Sequence, residues 1–148
     1  MQTITESKPI TIVGIKLRTS NNEAMNTIPP FWGKFYQEGI LNQIPNKVSS
    51  NVYAVYTDFE NEGKNNEGTY SLIIGAEVEN LDNVPEQFVS TVIPASKRVV
   101  FEVEAGHPEK VAEKWMEIWQ TDLPKTFISD YELYQASGEI TIHIGVKE

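Results

Sequence analysis

The sequence predicts an α+β domain built from two tandem β-α-β-β modules related by a pseudo-twofold axis, with a mainly antiparallel sheet and two helices. Three observations predict it. Strand-like and helix-like apolar periods follow one another in the order strand, helix, strand, strand, and then do so again. The segment Ile73-Ile74-Gly75-Ala76-Glu77-Val78 in the first half has a counterpart in His143-Ile144-Gly145-Val146-Lys147-Glu148 in the second. The chain of 148 residues suits a single domain, residues 1–148, and neither half alone would bury much core, so the two sheets are expected to join. A cleft on the pseudo-axis between the modules then becomes the natural place for a ligand.

Module one runs over about residues 9–79. Pro9–Thr19 is rich in β-branched residues, with Ile10 and Ile12 alternating before Val13-Gly14 and Ile15 and Leu17 after it, which predicts a strand with a bulge at the change of phase. Residues 28–44 carry Ile28, Phe31, Trp32, Phe35, Tyr36, Ile40, Leu41 and Ile44 at helical spacing. Pro29 and Pro30 stand at the predicted start, where a missing N–H is tolerated. Residues 52–59 and 69–79 read as strands, joined by a polar hairpin loop containing Gly63 and Gly68. Asp58, Glu60 and Glu62 before Gly63 look superficially like a calcium loop, but Thr69 stands where the closing Glu belongs and the flanks are strands, so a solvated loop is expected.

A connector at 80–96 holds Pro85 and Pro94, with room for a short strand at Phe88–Ile93. Module two, about residues 97–148, repeats the order. It has a strand at 97–105, a helix opening at His107-Pro108 with Val111, Ala112, Trp115, Met116, Ile118 and Trp119 on its stripe, and strands at 128–135 and 139–147 around Ser137-Gly138.

Composition narrows the chemistry. With no cysteine, disulfides, thiolate metal sites, iron–sulfur clusters and a cysteine nucleophile are excluded. A net charge of −9 argues against nucleic acid and anionic membranes, since both need clustered Lys and Arg, and mildly favours cationic partners. No run of about 20 apolar residues is present, and the first residues have neither a basic nor an apolar leader region, so a cytoplasmic location is expected. No metal-ligand spacing links His107 and His143, phosphate-loop glycine patterns and a nucleophile elbow are absent, and no cofactor is expected.

Aromatic residues and one acid remain as candidates. Trp32 and Trp119 occupy matching helices, where they either fill core or line the cleft. Alternation along Asp130-Tyr131-Glu132-Leu133-Tyr134 places Tyr131 and Leu133 on one face and Asp130, Glu132 and Tyr134 on the other. If the first face packs on a helix, Glu132 points the opposite way. It is then either a solvated carboxylate or the floor of an aromatic cleft, where desolvation raises its pKa and flanking rings add cation–π attraction of about 0.5–2 kcal/mol each. Tyr56, on the corresponding strand of module one, is a candidate ring, with surface and core as the alternatives. His143 on the last strand is either a surface histidine or a contact that tunes the acid.

Phe31-Trp32-Gly33-Lys34-Phe35, Val52-Tyr53-Ala54-Val55-Tyr56, Leu72–Val78, Glu117-Ile118-Trp119 with Leu123-Pro124, Asp130–Tyr134 and Ile142–Val146, taken in order, resemble the GyrI-like or AraC-type effector-binding domain, and particularly its stand-alone, integron-associated members. The resemblance spans nearly the whole chain. It implies two β-α-β-β modules around a ligand cleft, a small organic ligand that is amphipathic and often cationic, and Glu132 as the central acid. Trp32, Tyr56 and Trp119 carry over as ring contacts. Related sequences often hold an aromatic residue at His143. Regulators of this kind place the domain after a helix-turn-helix, for which residues before 9 leave no room, so action through a protein partner or by sequestration is expected rather than promoter binding. The alternative implied by the resemblance is a hydrolase of electrophilic small molecules, with Glu132 and Tyr56 or Tyr134 as an acid–base pair.

Overall fold

The computed structural model describes residues 1–148. The strands are β1 (Gln2–Glu6), β2 (Ile10–Ser20), β3 (Val52–Thr57), β4 (Thr69–Glu77), β5 (Val89–Ile93), β6 (Ser96–Val103), β7 (Asp130–Tyr134) and β8 (Ile140–Val146), and the helices are α1 (Ala24–Gln37), α2 (Ile40–Gln43) and α3 (Val111–Gln120). All eight strands form one antiparallel sheet in the order β1-β6-β8-β7-β3-β4-β2-β5. No helix is long and apolar enough to cross a membrane.

The order is palindromic about the β7–β3 junction. From there outward, module two contributes β7, β8, β6 and module one contributes β3, β4, β2. The pseudo-twofold axis therefore passes between β3 and β7. Each module also carries a leading strand that the expected pattern lacked at its first position. β1 precedes β2 but pairs with β6, and β5 precedes β6 but pairs with β2, so the two modules exchange their leading strands. The connector strand at 88–93 thus appears as β5, whereas β1 was not anticipated, because Gln2-Thr3-Ile4-Thr5-Glu6 offers a single large apolar residue.

These exchanges curl the sheet. β5 and β6 are six strand spacings apart in the sheet, about 29 Å if it were flat. Yet only Pro94 and Ala95 join them, a link that spans at most about 11 Å. The sheet must bend until its ends approach one another. One face is covered by helices, with Phe31, Phe35, Ile40 and Ile44 packed on module one and Val111 and Ile118 packed on module two. The other face holds Ile12, Tyr53, Val55, Ile73, Ile93 and Tyr131, a cluster made of strand residues alone and buried by the curl itself.

Two further expectations are corrected. No bulge interrupts β2, whose register with β4 runs unbroken from Ile12 to Ser20. The change of apolar phase at Val13-Gly14 marks instead the point where burial passes from one face to the other, with Ile10 and Ile12 on the strand-only cluster and Val13, Ile15 and Leu17 under the helices. Gly14 faces Gly75 there, and a Cβ on Gly14 would lie 2.0 Å from the Ile74 carbonyl oxygen. The helix expected over 28–44 is two helices, separated at Gly39 with φ +60°, and it begins at Ala24, so Pro29 and Pro30 lie inside α1. Their fixed φ suits a helix, and each removes one backbone donor from the ladder.

Candidate functional site

The centre of the helix-covered face is a single cross-strand row. Reading across the registers from β6 to β2, the row is Phe101, Ile142, Glu132, Ala54, Ile74 and Ile15. Every member is buried, and Glu132, 2% exposed, is the only polar one. The face containing Glu132 is therefore the helix face, the reverse of the placement favoured by the more apolar pair Tyr131 and Leu133. The curl resolves this: both faces are buried, so the more apolar set does not have to take the helices.

Three donors hold the carboxylate. Tyr56, from β3, donates its hydroxyl to Oε2 at 2.8 Å, and Trp115, from α3, donates Nε1–H to the same oxygen at 2.7 Å. Tyr134, two residues along β7, donates to Oε1 at 2.6 Å. No Lys, Arg or His forms an ion pair with Glu132. Burial pushes its pKa above the ordinary carboxylate range, while the bonds from Tyr134, Trp115 and Tyr56 oppose that rise. The same burial, with the adjacent acid, raises the phenols of Tyr56 and Tyr134.

The rings continue outward on both sides. Trp32, from α1, meets Tyr134 edge-on with centroids 5.1 Å apart and stacks on exposed Tyr36 at 5.9 Å. On the other side, Trp115 meets Tyr56 edge-on at 5.3 Å and leads to Trp119 at 6.3 Å. An aromatic path thus runs from one helix to the other with the carboxylate at its middle.

Of the residues anticipated from sequence, Glu132 and Tyr56 are in direct contact, and Trp32 reaches the acid through Tyr134. Trp119 is 48% exposed and makes no hydrogen bond to Glu132. His143 is not brought to this site. It stands on β8 between Ile142 and Ile144, so its ring points to the opposite face, where it stacks on Tyr131 with centroids 4.3 Å apart. Trp115, not Trp119, is the α3 ring that bonds the acid. The signal was its spacing: Val111, Trp115 and Ile118 fall on one line of the helix, and Val111 and Ile118 are both buried. Asp130, on the same face as Glu132, accepts a hydrogen bond from the Gly145 backbone at 2.8 Å. Burial raises its pKa to about 6 against the opposing pull of that bond and of Arg98 and Lys125.

A doubled, strand-exchanged sheet with an uncompensated acid under aromatic rings between two helices defines an effector-binding domain of the GyrI-like fold. The family profile for the integron-associated effector binding protein, Cass2, matches residues 3–146, and the chain belongs to that family. YobU of Bacillus subtilis (strain 168), which carries a transcriptional-regulator name, is 28% identical over 150 residues, covering 91% of each chain. The integron cassette protein VCH_CASS2 of Vibrio cholerae superposes with a TM-score of 0.77 at 25% identity, over 98% of this chain and 95% of that one. SAV2435, solved bound to tetraphenylphosphonium, superposes with a TM-score of 0.78 at 23% identity, over 99% and 93%.

Proposed function

We propose that this protein binds lipophilic organic cations, with Glu132 as the charge partner and Tyr56, Trp115, Tyr134 and Trp32 as the surrounding rings. The observation that carries this reading is the carboxylate buried in an otherwise apolar row with no cation of its own. A side chain in that position opposes folding unless something else gains from it, and an arriving cation without hydrogen-bond donors can take the charge while the rings supply cation–π contact. The closed arrangement means that rings move aside when the ligand enters. The tetraphenylphosphonium bound to SAV2435 is a ligand of this chemistry on the same fold. In the cell, such a protein acts as a sensor through a partner or as a sequestering agent.

The test is calorimetric titration of tetraphenylphosphonium against the wild-type protein and Glu132→Gln. Micromolar affinity, about −8 kcal/mol, is expected for the wild type. A loss of tenfold or more is expected in the variant, and equal affinity in the two proteins ends the electrostatic reading. A second reading, hydrolysis of electrophilic small molecules, draws on the 2.8 Å Tyr56–Glu132 contact as a proton-sharing pair. Mass spectrometry of candidate electrophiles after incubation separates turnover from capture.

A further inference from the structure

On the opposite face of β7 and β8, behind Glu132, a second polar cluster is buried. Arg98, from β6, is fully buried. Its Nη1 donates to the Ser129 carbonyl at 2.7 Å and its Nη2 to the Pro94 carbonyl at 3.2 Å. The guanidinium lies over the Tyr131 ring, 5.1 Å from its centroid, and Tyr131 in turn stacks on His143. His143 shares a 2.9 Å hydrogen bond between Nε2 and Thr141 Oγ1, which leaves Nδ1 without one.

Every one of these restraints comes from β6, β7, β8 and their flanking residues, not from β1. What remains unspent is one face of each group: the Nε–H of Arg98, the hydroxyl of Tyr131 and Nδ1 of His143. All three converge on the carboxylate of Glu6, the last residue of β1. Arg98 Nε donates to Oε1 at 2.7 Å, the Tyr131 hydroxyl donates to Oε2, and His143 Nδ1 lies 3.5 Å from Oε2. These contacts hold the Glu6 carboxyl below its ordinary range against the opposing effect of its burial. The Glu6 side chain is 14% exposed and that of Arg98 is 0% exposed, so the carboxylate is the member of the cluster nearest solvent.

We propose that Arg98, Tyr131 and His143 form a carboxylate-binding site in its own right, assembled by module two and filled by Glu6 as a tethered ligand. Without an anion, the site leaves a buried guanidinium donor and a phenol unpaired beside the His143 nitrogen that no other group bonds, a state that costs more than the vacancy of an apolar pocket. The site therefore takes a free monocarboxylate when the tethered one is removed. Truncating Glu6 to alanine deletes one methylene and the carboxylate, which together have the shape of acetate. The site faces away from Glu132 and takes the opposite charge, so one strand, β7, presents a cation partner on one face and an anion cage on the other.

The experiment uses the full chain carrying Glu6→Ala, with thermal unfolding followed by circular dichroism in acetate, acetamide or chloride at matched ionic strength. The variant is expected to unfold about 10 °C below wild type. Acetate should recover a saturable part of that loss, while acetamide and chloride recover none and the wild type, already filled, does not respond. If the variant is unfolded at 25 °C, acetate should restore the β-sheet spectrum, because a ligand that binds only the native state shifts folding by mass action. Equal effects of acetate and chloride, or an equal acetate response in wild type and variant, overturn the proposal. In the folded variant, acetate should also shift the His143 imidazole resonances, and an unmoved His143 spectrum at saturating acetate likewise overturns it.

Discussion

Trp115 and Tyr56 donate to the same oxygen of Glu132, at 2.7 and 2.8 Å, and their rings meet edge-on at 5.3 Å. One residue comes from the second module's helix and the other from the first module's central strand. The carboxylate thus joins side chains of the two halves above the β3–β7 pairing, so a cation bound there as proposed displaces a contact between the modules.

Trp115 should therefore report binding. Of the three tryptophans, it alone bonds the acid. Addition of tetraphenylphosphonium is expected to change its emission strongly. Trp115→Phe should remove most of the ligand-induced fluorescence change, while Trp119→Phe should retain most of it. A larger loss in Trp119→Phe would place the ligand on the rim instead.

Glu132 should make the protein less stable as pH rises. Its pKa in the folded state is raised above 4.5, so the native state binds the proton more tightly than the unfolded chain. Its contribution is most favourable below the unfolded value and is lost as pH climbs toward the folded one. Glu132→Gln removes this slope and still satisfies the site, with its carbonyl accepting from Tyr56 and Trp115 and its amide donating to the Tyr134 hydroxyl. Tm at pH 7 is expected to equal or exceed the wild-type value by a few degrees. A fall of more than about 5 °C would contradict the account.

Asp130 adds a second slope of the same sign in a defined window. Its pKa rises from 3.8 to about 6 on folding, so stability contributed by its protonated form declines between those values. Asp130→Asn keeps an acceptor for Gly145 N–H and should flatten the stability profile between about pH 4 and 6 in urea titrations.

The glycine pair between β2 and β4 should tolerate no side chain. Gly14→Ala places a methyl 2.0 Å from the Ile74 carbonyl and should cost about 3 kcal/mol or more through backbone displacement. Gly33→Ala, on α1 with nothing within 4 Å of the added carbon, should instead stabilise by about 0.5–1 kcal/mol. Urea unfolding of both variants checks the contrast.

Much of the architecture was legible because strand and helix periods are local. β3, β4, β6, β7 and β8 each read as apolar runs bounded by turn residues, and the order of elements repeats in the two halves. What escaped were features whose signal is not local. The β1 strand, Gln2-Thr3-Ile4-Thr5-Glu6, reads as polar and is held by pairing with β6, 90 or more residues away in the chain. The break at Gly39 depends on a left-handed backbone that a helical stripe does not report. At the site, Glu132 and Tyr56 were recognisable as an acid and a ring on matching strands, and Trp115 was legible from its place in line with Val111 and Ile118, the two buried residues of α3.

By itself the sequence determined the doubling, the alternation that separates Glu132 from Tyr131, and the supply of rings on the helices, since each follows from side-chain period along a single segment. Only the tertiary structure decided which face of β7 meets the helices and where His143 points. Those outcomes depend on the exchange of leading strands, which bends the sheet and buries both its faces. A strand buried on both sides no longer sorts its residues by hydrophobicity, so Glu132 on β7 is held under the helices by Tyr56, Trp115 and Tyr134. Glu6, on the edge strand β1, is held by residues of β6 and β7 that lie far from it in the chain, and periodicity along the chain encodes neither arrangement.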